Sequence, residues 1–334
     1  MVAALTAAGS QHLPWAIGVK SPFSLRWVRP LRRLFHEYRV DVVHARSRLP
    51  AWIGYRALAT MAPASRPAFV TTVHGPYTVN RYSAIMTRGD TVIAVSQFIR
   101  EYIERNYPHV DPTQVEVIER GVSAEEYPYG YRPSDAWSRD WADLCPQAHD
   151  KFVVTLPARI TRWKGQEDFI EVIAKLLRRG VPVHGLIAGG AEPRRRRFLQ
   201  KLESAVTARG LDAHVTFLGQ RQDLRDIMAI SDAVLSLPRV PEAFGRTTLE
   251  ALRLGRPVVG YDHGGTREIL AAMFPEGACP TSNPDAVAAR LAEFHDSPPD
   301  VPDRPVFQRQ EMLDKTLAVY ERLASRSAPV QNHA

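Results

Sequence analysis

Short runs of β-branched and apolar residues alternate with longer stretches whose apolar positions recur every three or four residues. In the first half the runs are 40–44 "VDVVH", 68–73 "AFVTTV", 91–95 "TVIAV" and 115–118 "VEVI", with a weaker one near 12–17, and each is followed by a helix-like segment. Ser96 is placed to N-cap "SQFIREYIERN", with Phe98, Ile99, Tyr102 and Ile103 on one face. A second series predicts strands at 152–156, 183–188, 214–218, 233–236 and 257–260. Its helices fall at 165–179, 194–209, 222–230, 246–254 and 266–273, with a last one from about 307 to 324. This alternation is the pattern of parallel sheets with crossover helices, and two doubly wound α/β domains account for it. Periodicity fades between 124 and 150, which predicts a linker. The domains expected are therefore 1–123, 151–303 and a C-terminal helix and tail, 304–334, packing back towards the first domain.

A length of 334 residues fits two hydrophobic cores, and 45% apolar content fills both. The two cysteines, Cys145 and Cys279, belong to no C-x-x-C or Cys/His cluster, so neither a disulfide framework nor a structural zinc site is indicated. A reducing, cytoplasmic setting fits that usage. The first nineteen residues lack the basic n-region of a signal peptide, and no run reaches the length of a membrane span. The net charge of +7 is uneven: Lys20 to Arg56 holds nine Lys/Arg against Glu37 and Asp41. Leu25, Trp27, Val28, Leu31, Leu34 and Phe35 interleave with Arg26, Arg29, Arg32 and Arg33, as in a helix lying on an anionic membrane surface, although Pro30 argues against a helix there. A merely solvated face is the plain alternative, and no motif favours nucleic acid.

Ligands in open α/β sheets gather where strands end and helices begin. Three such junctions in the second half carry chemistry. After strand 152–156 come Arg159 and Lys164, then a helix start: two cations beside free N–H groups form an anion site. After strand 183–188, Gly189 and Gly190 allow a sharp turn and a close backbone approach. After strand 233–236 come Glu242, the turn Phe244-Gly245, and a helix from Arg246 to Leu254 ended by Gly255. Glu250 lies about two turns into that helix, where a carboxylate can accept hydrogen bonds from two adjacent hydroxyls such as those of a ribose.

Glu242 and Glu250 eight positions apart, with Phe244-Gly245 between them, "GGTREIL" after them and Arg159 and Lys164 before them, resemble the C-terminal domain of retaining GT-B glycosyltransferases of family 4. The first half adds "VVHARSR", "TVHG", "VIAVSQFI" and "VIERGVS", so the resemblance extends from about residue 40 to 325, closest to enzymes that build lipopolysaccharide core or other surface glycans.

The resemblance implies two Rossmann-like domains facing a cleft. Arg159 and Lys164 would bind the donor diphosphate and stabilise the leaving nucleoside diphosphate without a metal. Glu250 would hold the ribose, and Glu242 would face the transferred sugar. The backbone of Phe244, Gly245 and Arg246 would approach that sugar and the phosphates. Gly264 and Gly265 would present N–H groups to the donor, ahead of Glu268 in the adjoining helix, and His74 would reach the donor sugar from the first domain. It implies no cofactor, a nucleotide sugar (UDP-linked by preference) as donor, and a glycan or lipid-linked acceptor at the membrane face. Members of the family normally begin with a strand and a glycine-rich loop that precede anything like "MVAALTAAGSQHLPWAI". The first domain is therefore expected to lack some 35 to 45 residues, among them the central strand of its sheet, through a start codon set too far downstream or a shortened form, leaving unpaired backbone groups and an exposed apolar groove. The rival readings are a GT-B-type sugar-nucleotide epimerase, which would want acid/base carboxylates in the first domain, and a non-catalytic basic membrane-docking module.

Overall fold

Residues 6–327 are described in the computed structural model. They divide into two units, one of residues 6–94, 99–117 and 316–327, the other of residues 95–98 and 118–315.

The first unit is built on four parallel strands, β1 Val42–Ala45, β2 Ala68–Val73, β3 Thr91–Ala94 and β4 Val115–Val117, in the order β1-β2-β3-β4. Register is set by pairs such as Val43 with Phe69 and Thr71 with Val92. Ile53 from helix Arg48–Ala59, Ile85 and Met86 from the turn at Ser83–Thr87, and Ile99 and Ile103 from helix Gln97–Asn106 are fully buried against the sheet. Each such side chain contributes about 1.5–3 kcal/mol. Among the described strands β1 pairs only with β2, and Val42 and Val43 stay half-buried.

Two expectations are corrected in this unit. Residues 12–17 form no strand: Trp15 instead stacks on Trp27 at 5.3 Å, and the segment runs as turn and coil. A helix does form at Val28–Glu37 despite Pro30, because Pro30 falls in the first turn, where a missing N–H costs no helical bond. Only Phe35 of that helix is buried.

The second unit holds six parallel strands in the order β10-β9-β8-β5-β6-β7. They are β5 Phe152–Pro157, β6 Val183–Ala188, β7 Val215–Gly219, β8 Ala233–Ser236, β9 Val258–Tyr261 and the short β10 Ala278–Cys279. β5 pairs with both β6 and β8, so the chain reverses direction of winding at its carboxyl end, the place where doubly wound sheets bind ligands. All six residues of β5 and of β6 are buried, which fits runs that are apolar apart from the buried Thr155 and His184.

The stretch expected to be a linker is instead part of this unit. Ser134 caps helix Asp135–Leu144, whose Trp137 and Trp141 rings stack at 5.4 Å. The Trp137 indole donates to Asp223 at 2.8 Å and the Tyr131 hydroxyl to Asp226 at 2.6 Å. Trp137 and Trp141, one turn apart, pack against a cluster that includes Cys145, Val153, Leu186 and Ile227. The final helix, Arg309–Ser327, supplies residues to both units, the change falling at Thr316.

Candidate functional site

The carboxyl ends of β5, β8 and β9 bring most of the predicted residues of the second unit together. Lys164, at the end of the loop that leaves β5, forms an ion pair with Glu242, on the loop that leaves β8, and both side chains are largely buried. The Lys164 ammonium also lies over the Trp163 ring, 4.6 Å from its centroid. Leu156, Ala158, Ser236, Leu237 and Thr247 line a small crevice around the pair. Arg159 stays exposed, with Glu192 3.9 Å away, and its carbonyl receives the Gln166 amide at 3.0 Å. The result is one cation held in a fixed place and one free to reach outward, beside the N-terminus of helix Gln166–Arg178.

The glycines have specific steric work. Gly245 caps helix Arg246–Arg253 at φ 89°, a conformation that a side chain resists. Helix Gly264–Met273 starts two residues earlier than the periodicity predicts. A Cβ on Gly265 would sit 2.3 Å from the Phe244 Cα, and its N–H donates to the Glu242 carbonyl at 2.9 Å. Gly264 likewise faces the Glu242 backbone, and Gly189 faces the Ala158 carbonyl. These glycines therefore press strand-end loops onto each other, and Glu242 is fixed through both its side chain and its carbonyl.

Glu250 is 4% exposed and accepts a bond from Arg246 at 2.7 Å. Burial pushes its carboxyl above the usual range, while Arg246 and the Tyr127 hydroxyl pull it back. Burial, followed by the charge of Glu250, pushes Tyr127 up to about 12. His74 stands just past β2 in the first unit, where its N–H meets the Tyr77 hydroxyl at 3.2 Å. Among the described residues no group of three or more His, Cys, Asp or Glu is placed to hold a metal ion, and both cysteines are buried and free.

Sequence reasoning missed a second layer beneath these residues. Asp168 is 6% exposed and receives Arg239 on both oxygens, at 2.5 and 3.2 Å, and the buried Tyr261 hydroxyl at 2.9 Å. His263 meets the Pro238 carbonyl at 2.7 Å, and burial holds its ring below the usual pKa. The only signals were an arginine three places before Glu242 and an acidic residue in the first turn of the Gln166 helix.

Comparisons with known proteins fit this geometry. Residues 145–309 match the glycosyl transferases group 1 family, and residues 8–126 match Glycosyltransferase Family 4. A D-inositol 3-phosphate glycosyltransferase of Rhodococcus erythropolis is 31% identical over 46% of this chain and 34% of its own length. The lipopolysaccharide core biosynthesis mannosyltransferase LpcC of Rhizobium leguminosarum is 26% identical over 63% of this chain and 55% of its own. The chain thus spans between about a third and just over half of these two relatives. A glycosyltransferase structure from Rickettsia africae superposes with a TM-score of 0.83 at 25% identity, covering 96% of this chain and 87% of that one. Anabaena HepE, solved with UDP and glucose, shares the fold with a TM-score of 0.71 at 22% identity, over 92% and 78% of the two chains. By its paired Rossmann-type sheets, its strand-end motifs and these matches, the chain belongs to the GT-B glycosyltransferases of the family 4 type.

Proposed function

We propose that the chain transfers a sugar from a nucleotide-sugar donor to a glycan or lipid-linked acceptor with retention of anomeric configuration, in the assembly of a surface glycan. The observation that carries the reading is the Lys164–Glu242 pair at the reversal point of the second sheet, with Arg159 on the Lys164 loop and the buried Glu250 in the helix that follows Glu242. Lys164 and Arg159 neutralise the diphosphate as it leaves. Glu250 receives the ribose hydroxyls, and Glu242 is released from Lys164 to face the sugar as phosphate takes over the ammonium. Fixed charges of this kind need no reorganisation when the leaving group forms, which is the source of their catalytic value. A UDP sugar is the favoured donor, supported by the bound UDP of the Anabaena relative.

The site of action proposed is the cytoplasmic membrane face. Leu13, Val19, Phe23, Leu25 and Tyr38 are all exposed within one short stretch of the first unit, among the exposed cations Lys20, Arg26, Arg29, Arg32 and Arg33. Leu13, Trp15 and Tyr38 join Arg29, Arg32 and Arg33 around a cavity of about 1110 Å³. Apolar wedges ringed by cations suit an anionic lipid surface. No described helix is long and apolar enough to cross a membrane.

The reading is tested by slow acceptor-free hydrolysis of UDP-glucose, GDP-mannose and ADP-glucose, followed by proton NMR of the released sugar. The α-anomer appearing first, before mutarotation, supports retention; β-first release contradicts it. Cosedimentation with vesicles of phosphatidylcholine, with and without phosphatidylglycerol, tests the surface: binding only to the anionic vesicles, lost in high salt, is expected, and equal pelleting with both would contradict it.

A further inference from the structure

Three loops must keep register for the site to exist: the one that leaves β5 with Lys164, the one that leaves β8 with Glu242, and the one that leaves β9. One residue, Arg239, connects them, through its backbone N–H, its guanidinium and the carboxylate that the guanidinium holds. The Arg239 N–H donates to the Trp163 carbonyl at 2.7 Å, one residue before Lys164. Its side chain grips Asp168 with two bonds and Glu167 with a third, at 2.7 Å. Both carboxylates lie in the first turn of the helix that Lys164 introduces. Asp168 in turn takes the Tyr261 hydroxyl from the last residue of β9. The preceding residues are pinned as well: Pro238 through His263, and Leu237 by its carbonyl, which a Cβ on Gly165 would approach to 2.0 Å.

A two-bond guanidinium–carboxylate fork fixes angle as well as distance, which a lysine cannot do. Asp168 is buried and serves three donors, so the network is anchored rather than drifting on the surface. Glu242 lies three residues beyond Arg239 on the same loop, and nothing longer than that loop separates the fork from the ion pair.

We propose that Arg239, held by Asp168 and through it by Tyr261, is a positioning residue that sets the Glu242 loop against the Lys164 loop, and so governs the chemical step more than nucleotide affinity. The inference rests on the donor-site reading above. Of the groups assigned to the nucleotide, Arg159 and Glu250 share no bond with the fork. The placement of Glu242 toward the sugar is what it does carry.

The test uses the full chain and the variants Arg239→Lys, Arg239→Ala and Asp168→Asn. Lys201→Ala, which breaks only the exposed link to Glu167, is the control. Turnover of UDP-glucose, GDP-mannose and ADP-glucose is compared with calorimetric affinity for UDP, GDP and ADP. A misplacement near 1 Å costs about 10²-fold in rate. The expected result is therefore a fall of that order in kcat for Arg239→Ala, a smaller one for Arg239→Lys, and nucleotide Kd within about threefold of the parent. Equal losses in kcat and Kd, or none in either, overturn the proposal.

Amide hydrogen exchange supplies an arm that needs no donor. Faster exchange confined to 161–165 and 237–245 in the Arg239 variants, with β6 and β7 unchanged, supports the coupling. Unchanged exchange there overturns it, even if no donor tried is turned over; in that last case inactivity with altered exchange would fault the donor-site reading alone.

Discussion

The two units share an architecture of parallel strands and crossover helices, yet they use their strand ends differently. In the second unit the loops that leave β5, β8 and β9 are tied by ion pairs, a buried carboxylate and glycines that admit backbone against backbone. In the first unit the comparable polar cluster is neutral: His44 lies between the Thr72 hydroxyl at 2.6 Å and the Tyr320 hydroxyl. The first unit keeps its charges outside, on a surface that also exposes apolar side chains. On the proposed reading one sheet end is preorganised for a small anionic ligand, whereas the other unit offers its distinctive chemistry on its flank. Charge fixed in a largely buried setting acts on a transition state; charge left in water acts on long-range attraction.

The sharpest break of that contrast is Lys164→Ala. If Lys164 holds the donor as proposed, removing it takes a charge-assisted bond from the leaving diphosphate, and a loss of about 10²–10³-fold in turnover is expected, read from donor consumption. A loss under threefold would mean that Lys164 serves only to satisfy Glu242. Gly265→Ala comes next. Its Cβ would meet Phe244 at 2.3 Å, so a stability loss of about 1–3 kcal/mol, seen as a lower Tm, is expected with loss of activity. Gly210→Ala, where nothing lies within 4 Å, marks the difference between strain from a positive φ and strain from packing.

The smallest effect is expected in the first unit. Burial and then the charge of Arg46 lower His44 from 6.5 to about 4. A folded-state pKa below the unfolded one means that the unfolded chain binds the proton first. The neutral ring is therefore compatible with the fold above pH 6.5, and stability falls as pH drops from about 6.5 towards about 4. Chemical denaturation across that window should show the decline, and His44→Asn should flatten it. An unchanged slope in the variant would place the sensitivity elsewhere.

How much was readable in advance follows the same contrast. Strands β2, β5 and β6 were legible because both faces are buried and their residues are mostly apolar, broken only by buried Thr71, Thr72, Thr155 and His184. The placing of Lys164, Glu242 and the glycines on the loops between strands and helices was legible from the alternation of the elements, while the roles given to them and to Glu250 came with the family resemblance. Asp168, Arg239 and Tyr261 were not, since a buried fork is made by residues from three loops and leaves no spacing in the sequence. The run near 12–17 was misread because alternation alone does not say whether a neighbouring strand exists to pair with. The stretch 124–150 was misread because its ten-residue helix, with a short face of Trp137 and Trp141, is flanked by turn residues and charges that mask the period.

The central claim is that the second unit grips a nucleotide through an acidic residue in the Arg246 helix. Calorimetric titration of UDP, GDP and ADP into the full chain and into Glu250→Ala tests it most directly. Selective binding of one nucleotide is expected, weakened about tenfold or more by the loss of hydrogen bonds to a charged group. A folded chain that binds none of the three, or binds one equally well without Glu250, would contradict the account.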